Sequence, residues 1–211
     1  MDQNKITQIL NKVKADYTAI ARVRQKIWSE EKSLIKYIKN NDTVLDLGCG
    51  QGRIVPLLKN KKINYVGLDN CTSLIKNAQG LYPNYKFINQ DITKLDLPKK
   101  SFDKILVIAI LHHIPSKSLR LKILKNIKKL LKEGGMLLMT NWNLDDYQHK
   151  QKATELEKGD YYIPWRIKKE KVMRYYHNFG KKELDDLIKE AGLTIVKSQK
   201  NKRNLVIIAK Y

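Results

Sequence analysis

The chain predicts a doubly wound α/β sheet, in which strands and helices alternate along the sequence. Three observations carry this. Short β-type runs alternate with helical stretches from Thr43 onward, a glycine cluster sits between the first strand and the next helix, and Phe102 to Leu111 is almost continuously apolar. A continuous apolar run marks a parallel strand covered on both faces, and regular strand–helix alternation marks the doubly wound class.

The elements follow in order. Ile6, Ile9, Leu10 and Val13 recur at helical spacing, as do Leu34, Ile35 and Ile38 after Trp28, so residues 1–40 open the chain with two helices. Thr43 to Leu47 is the first strand, followed by Gly48, Gly50 and Gly52 and a helical stretch from Arg53 to Lys59. Ile63 to Leu68 is the next strand, Ser73 to Gln79 a helix, and Tyr85 to Asn89 a third strand. After the apolar fourth strand, Leu119 to Leu131 reads as an amphipathic helix ended by Gly134 and Gly135, and Met136 to Asn141 as a fifth strand. Residues 142–177 lose any clean period and hold tyrosines, tryptophans and a proline, so they read as an insertion over the carboxyl edge of the sheet, where open α/β folds bind ligands. Lys181 to Ala191 is helical, Gly192 turns, and Leu193 to Lys197 with Asn204 to Lys210 form a terminal antiparallel pair.

A length of 211 residues suits one domain with a small insertion, large enough to fold without disulfide or metal. Cys49 and Cys71 cannot build a disulfide framework, and no Cys/His grid suggests zinc. The longest apolar run falls far short of the ~20 residues that span a bilayer, and the first 14 residues lack the apolar stretch of a secretory signal. A cytoplasmic protein without membrane association is expected. The 42 Lys and Arg against 21 Asp and Glu give a net charge of +21, which suggests a polyanionic partner. The excess is almost all Lys, which a Lys- and Asn-rich proteome also produces, so charge alone does not name the partner.

Asp46 to Gly52 places three glycines at a strand-to-helix turn, where the backbone can bend sharply and approach a ligand. The spacing is GxGxG, one residue short of the dinucleotide fingerprint, which argues against a nicotinamide-dependent oxidoreductase. Asp46 ends its strand and can accept from an ammonium group. Asp69 ends the second strand and can accept from two ribose hydroxyls, and Asp91, after the third, can accept from an exocyclic adenine amine with Ile92 against the ring. An amine, a ribose and an adenine without phosphate describe S-adenosylmethionine.

This set resembles the class I S-adenosylmethionine-dependent methyltransferases over about residues 40–141. The resemblance implies a Rossmann-like, seven-stranded, mostly parallel sheet with helices on both faces and an insertion after the fifth strand. It implies cofactor contacts from Gly48, Cys49, Gly50 and Gly52, from Asn70 beside Asp69, and from Ala109 after the fourth strand. The later motifs narrow it further. Ala109-x-x-His112-His113, Asn141-Trp142, Tyr162-x-Pro164-Trp165-Arg166, Arg174-Tyr175-Tyr176-His177 and Glu183-Leu184 are similar, in the same order, to the tRNA wobble-uridine carboxymethyl methyltransferase family. Tyr17, Ile20, Ala21, Arg24 and Trp28 match an N-terminal element of that family, shortened here between Ala21 and Arg24, with an aromatic residue lost.

The chemistry so implied is methyl-ester formation on a 5-carboxymethyl uridine of tRNA. The resemblance implies that Arg174, His177 and either His112 or His113 hold the acceptor carboxylate. If the strand continues through the two histidines, their side chains alternate and only one faces the pocket. Trp165 or Tyr175 would stack on the extruded base, with Arg24, Trp142 and Arg166 also on the substrate side. Family members can work with a small zinc-binding activator subunit, and RNA rather than DNA is the implied partner. Two alternatives stand: a small-molecule O- or N-methyltransferase using a histidine base, and a cofactor-binding RNA module without catalysis.

Overall fold

A computed structural model describes residues 1–19, 21, 27, 29–145, 153–167 and 170–211. In chain order it comprises α1 (Gln3–Ala19), α2 (Ser29–Ile35), β1 (Thr43–Leu47), α3 (Val55–Leu58), β2 (Asn64–Asp69), α4 (Thr72–Leu81), β3 (Lys86–Asn89) and β4 (Phe102–Ile108). These are followed by α5 (Lys117–Leu130), β5 (Leu131–Trp142), β6 (Thr154–Glu157), β7 (Asp160–Ile167), β8 (Glu170–His177), α6 (Lys181–Glu190), β9 (Thr194–Lys200) and β10 (Asn204–Lys210). Two short 3-10 turns, Ile92–Lys94 and Leu111–His113, follow β3 and β4.

Seven strands form one sheet in the order β3-β2-β1-β4-β5-β10-β9, parallel throughout except that β10 runs antiparallel to both its neighbours. Alternate side chains of one strand feed opposite faces. Leu45 and Leu47 of β1, Ile105 and Val107 of β4, and Leu205 and Ile207 of β10 pack with Ile123, Leu124 and Ile127 of α5 and Leu184, Leu187 and Ile188 of α6. Val44, Leu106, Leu138 and Val206 pack on the other face, with Leu34, Ile35, Leu58, Ile75 and Ala78. The chain therefore buries both sides of its central strands under helices, as the apolar run at Phe102 requires. β1 has β2 on one side and β4 on the other, so strand order reverses there and opens a crevice above their carboxyl ends.

The structure differs from the sequence reading in three places. The helix after the glycine turn is only Val55–Leu58, with Pro56 in its first turn. The helix before the fifth strand ends at Leu130 rather than at the glycines. Leu131 already pairs with Phe102, and Gly134, at φ +73°, lies within an irregular stretch of β5 before Met136 restores the register with Lys104. The insertion is a three-stranded antiparallel sheet, β6-β7-β8, whose long β7/β8 ladder runs from Asp160 opposite His177 to Ile167 opposite Glu170. It packs on α1 and on the turn after β4. Among the described residues, no helix is long and apolar enough to cross a membrane.

Candidate active site

A cavity of about 580 Å³ opens above the carboxyl ends of β1, β2 and β4, a size within the range of small-ligand sites. The glycine turn forms its floor. Gly48, Gly50 and Gly52 all have positive φ, at +75°, +56° and +77°. A Cβ on Gly48 would lie 2.2 Å from Cδ1 of Ile110, whereas a Cβ on Gly50 would meet nothing within 4 Å, so at Gly50 the bare backbone faces open space on the cavity wall. Cys49 lines the cavity as well; Gly52 does not, and a Cβ there would lie 2.8 Å from the Tyr82 ring.

Asp69 lies on the wall with each carboxylate oxygen taking one backbone N–H, Oδ2 from Gly50 at 3.0 Å and Oδ1 from Cys71 at 2.8 Å. Those bonds fix the plane of the group and leave a lone pair on each oxygen for a diol. Asp91 caps the 3-10 turn through Oδ1, which accepts from Thr93 N at 2.8 Å, and its Oδ2 is left for another donor. Asn70, Ile92 and Ala109 also line the cavity. Asp46 does not: it is 1% exposed, lies off the cavity wall and accepts a 2.8 Å hydrogen bond from the Tyr65 hydroxyl. Burial pushes its carboxyl up to about 6, despite that bond. The third acid on the wall is Glu31, ion-paired at 2.6 Å with Arg53. Helix periodicity gave no reason to single out Glu31, because its role comes from where α2 lands on the sheet. Three carboxylates, exposed glycine backbone and a volume of this size fit an adenosine carrying a cationic amino-acid tail.

The acceptor end is built by the turn after β4 and by β7 and β8. The strand stops at Ile108, Ala109 turns at φ +57°, and residues 111–113 form a 3-10 turn. Strand alternation therefore does not hold there, and both His112 and His113 line the cavity, correcting the expectation that only one could. His113 has both nitrogens engaged: Nδ1–H donates to the Tyr175 carbonyl at 2.9 Å, and Nε2 accepts from the Tyr17 hydroxyl at 2.7 Å. His112 Nδ1 accepts from Trp142 N–H at 3.1 Å, which places the ring proton on Nε2, a buried atom with no hydrogen-bond partner among the described residues. Burial first, then the neighbouring Arg174 and His177, hold His112 down at about 3; burial, His112 and Arg174 hold His113 well below its ordinary range. Both rings are uncharged at neutral pH.

Arg174 is 5% exposed and lines the same cavity. Its guanidinium lies 4.5 Å from the Tyr17 ring centroid, 5.1 Å from Trp165 and 5.3 Å from Tyr176, and it donates to the Tyr17 hydroxyl and, at 3.3 Å, to His113 Nε2. Trp142 and Trp165 line the cavity, with ring centroids 5.9 Å apart, and Trp142 stacks on Tyr176 at 5.2 Å and 18°. The acceptor end thus offers the Arg174 guanidinium among aromatic faces.

Other expected site residues lie elsewhere. Tyr175 is fully buried with its hydroxyl donating to Asp160 at 2.7 Å, so it has no face open for stacking. His177 is 7% exposed and lies off the cavity, bonded to Asp160 and Glu183, so it does not reach an acceptor there. Arg166 lies on β7 opposite Lys171, and Arg24 lies outside the described residues. Tyr17, matched in the sequence only as part of an N-terminal element, proves to be a wall of the acceptor end.

The chain matches the family described as a methyltransferase domain over residues 38–192. It is 27% identical over 212 aligned positions to the tRNA (carboxymethyluridine(34)-5-O)-methyltransferase of Schizosaccharomyces pombe, covering 91% of each chain. A solved S-adenosylmethionine-dependent methyltransferase from Methanosarcina mazei superposes with a TM-score of 0.74 at 21% identity, over 88% of this chain and 98% of that one. A similar fold also occurs in a solved complex of the Haloferax volcanii Trm112 methyltransferase activator with a methyltransferase, at a TM-score of 0.66 and 16% identity, over 92% and 97% of the two chains.

Proposed function

The chain belongs to the methyltransferase-domain family and is an S-adenosylmethionine-dependent methyltransferase, and on that premise we propose that its acceptor is the 5-carboxymethyl carboxylate of a tRNA wobble uridine. The observation that carries the proposal is the composition of the acceptor end: one buried guanidinium beside two imidazoles that burial has stripped of basicity.

An alcohol or amine acceptor needs a group to take its proton, and a histidine held at about 3 is a poor one. A carboxylate, with an ordinary pKa of about 4, is already ionised and needs no base. Its requirements are position and electrostatics. Arg174 holds one carboxylate oxygen through a charge-assisted hydrogen bond and leaves the other free to react. His112 Nε2–H, the donor left without a protein partner, hydrogen-bonds an oxygen of the acceptor. Trp165 and Trp142 present faces on which an unstacked pyrimidine rests. Tyr17 and His113 hold Arg174 in place and help exclude water.

The fit to the cofactor rests on Asp69 and Asp91 beside the bare backbone of Gly50. When bound, S-adenosylmethionine supplies an electrophilic sulfonium methyl group. Asp69 would hold the ribose, Asp91 and Ile92 the adenine side, and Glu31, already paired with Arg53, would take the ammonium end. Asp46 would support the glycine turn through Tyr65 rather than touch the ligand.

A small activator subunit belongs to the same reading, given the activator-bound methyltransferase of similar fold. The test is incubation of the purified protein, alone and with a Trm112-type subunit, with labelled cofactor and a tRNA carrying unesterified 5-carboxymethyluridine. Transfer of label to a base-labile ester on that nucleoside is expected. Labelling of a small-molecule acceptor but not of tRNA would overturn the proposal in favour of a small-molecule methyltransferase.

A further inference from the structure

Outside the cavity, the end of the inserted sheet is pinned by a buried ionic cluster that methyl transfer itself does not use. His177, near the C-terminal end of β8, has Nδ1 2.7 Å from Asp160 Oδ1 of β7 and Nε2 2.8 Å from Glu183 Oε1 of α6. An ionised carboxylate only accepts, so two carboxylates on one imidazole require both nitrogens to donate. The Tyr175 hydroxyl adds a third bond, to the same Asp160 oxygen at 2.7 Å. From α5, Arg120 brings a like charge, with Nη2 3.9 Å from Glu183 Oε1 and its guanidinium 5.3 Å from the Phe179 ring, against which His177 also packs edge-on. The cluster joins three elements, β7, β8 and α6, and has its outlet to solvent through the half-exposed Glu183.

The cluster connects to the acceptor end in two steps. Tyr175 reaches Asp160 with its hydroxyl and accepts the His113 Nδ1–H with its carbonyl, and Arg174 is its neighbour on β8. We propose that His177 is a positioning residue: as an imidazolium clamped between Asp160 and Glu183, it sets the depth and angle of the β8 segment that presents Arg174 and the Tyr175 carbonyl to the acceptor. What is positioned rests on the acceptor reading above, whereas the clamp itself rests on the geometry alone.

Burial opposes the charge on His177, but the Asp160 and Glu183 hydrogen bonds outweigh it and raise its pKa above the ordinary 6.5, while Arg120 works against them. Asp160 and Glu183 are in turn held low against burial, chiefly by His177. The clamp therefore persists to higher pH than an ordinary imidazolium would and releases as pH rises further. Acceptor turnover should fall there while cofactor binding, at the other end of the cavity, holds.

The experiment is a pH titration of the histidine ring nitrogens by nitrogen-15 NMR on the whole protein, with Glu183→Gln as the comparison. Glu183→Gln replaces one carboxylate by an amide at a half-exposed position and is expected to fold where His177→Gln, which leaves two carboxylates facing a carbonyl, need not. His177 is expected to titrate above 6.5 in the wild type and lower in Glu183→Gln than in the wild type. The His113 Nδ1–H resonance is expected to move at the same two midpoints, and the alkaline limb of turnover to shift with them at a cofactor Kd within twofold. A His177 midpoint at or below 6.5 overturns the clamp; a His113 signal or a turnover limb indifferent to Glu183→Gln overturns the positioning role. Paired titrations in a protein that never esterifies RNA would refute the function proposed above and leave the clamp standing.

Discussion

At the level of single residues, the proposed acceptor chemistry falls on Arg174, and its removal gives the sharpest expectation. Arg174→Ala should lower kcat/KM on carboxymethylated tRNA by about a hundredfold or more, the usual cost of losing a preorganised charge-assisted donor. The cofactor Kd by calorimetry should stay within twofold, because Asp69, Asp91 and Gly50 lie at the other end of the cavity. Arg174→Lys should rescue little, since an ammonium neither stacks flat between Tyr17 and Trp165 nor reaches His113 in the same plane. The uncharged histidines set a pH dependence. His112 is depressed from 6.5 to about 3, so between those values the unfolded chain binds a proton that the folded one does not. Stability from this group is therefore complete above about pH 6.5 and drains away as pH falls toward 3, with a slope approaching about 1.4 kcal/mol per pH unit. His113 acts in the same direction. Asp46, raised to about 6, acts oppositely between that value and 3.8, so the comparison must be a difference. Urea midpoints at pH 7, 5.5 and 4.5 should fall less steeply in His112→Asn than in the wild type.

At the scale of elements, the glycine turn separates folding from binding. Gly48→Ala forces a Cβ to 2.2 Å from Ile110 at φ +75°, and should cost about 1–3 kcal/mol in urea unfolding. Gly50→Ala has free space around its Cβ and should cost only the about 1–2 kcal/mol of the left-handed backbone, yet weaken cofactor binding measurably, because that Cβ enters the cavity. The alternating strands and helices of the main sheet were readable because each central strand is apolar on both faces, and the acids at the tips of β2 and β3 followed from that topology. The insertion was not readable. Its β7/β8 ladder mixes Pro164, Trp165 and four tyrosines whose burial comes from packing on α1 and the histidine turn, so no period-2 pattern survives in the sequence. The two histidines were misjudged for a related reason: Ala109 leaves the strand at positive φ, a break that no glycine or proline announces at that position. Tyr175 and His177 share a motif with Arg174, but the register of β8 turns them into the protein and Arg174 toward the cavity.

Across the whole molecule, the net charge of +21 surrounds a cavity whose cofactor end is acidic and whose acceptor end carries Arg174. Such an arrangement suits a polyanion that is held over a broad surface while one nucleotide enters the site. The affinity for tRNA should fall with salt on a log–log slope of about −3 or steeper, the release expected for four or more phosphates of a single-stranded loop, while the cofactor Kd stays nearly flat. A flat response for both would leave the charge as background. In the proposed reaction a cation-bearing, base-free acceptor end esterifies a carboxylate. It is tested most directly by comparing labelled methyl transfer to two otherwise identical tRNAs, one with 5-carboxymethyluridine and one with unmodified uridine at the wobble position. Transfer to the first alone is expected, in a form that mild alkali releases as methanol. Equal transfer to both, or alkali-stable label, would contradict it.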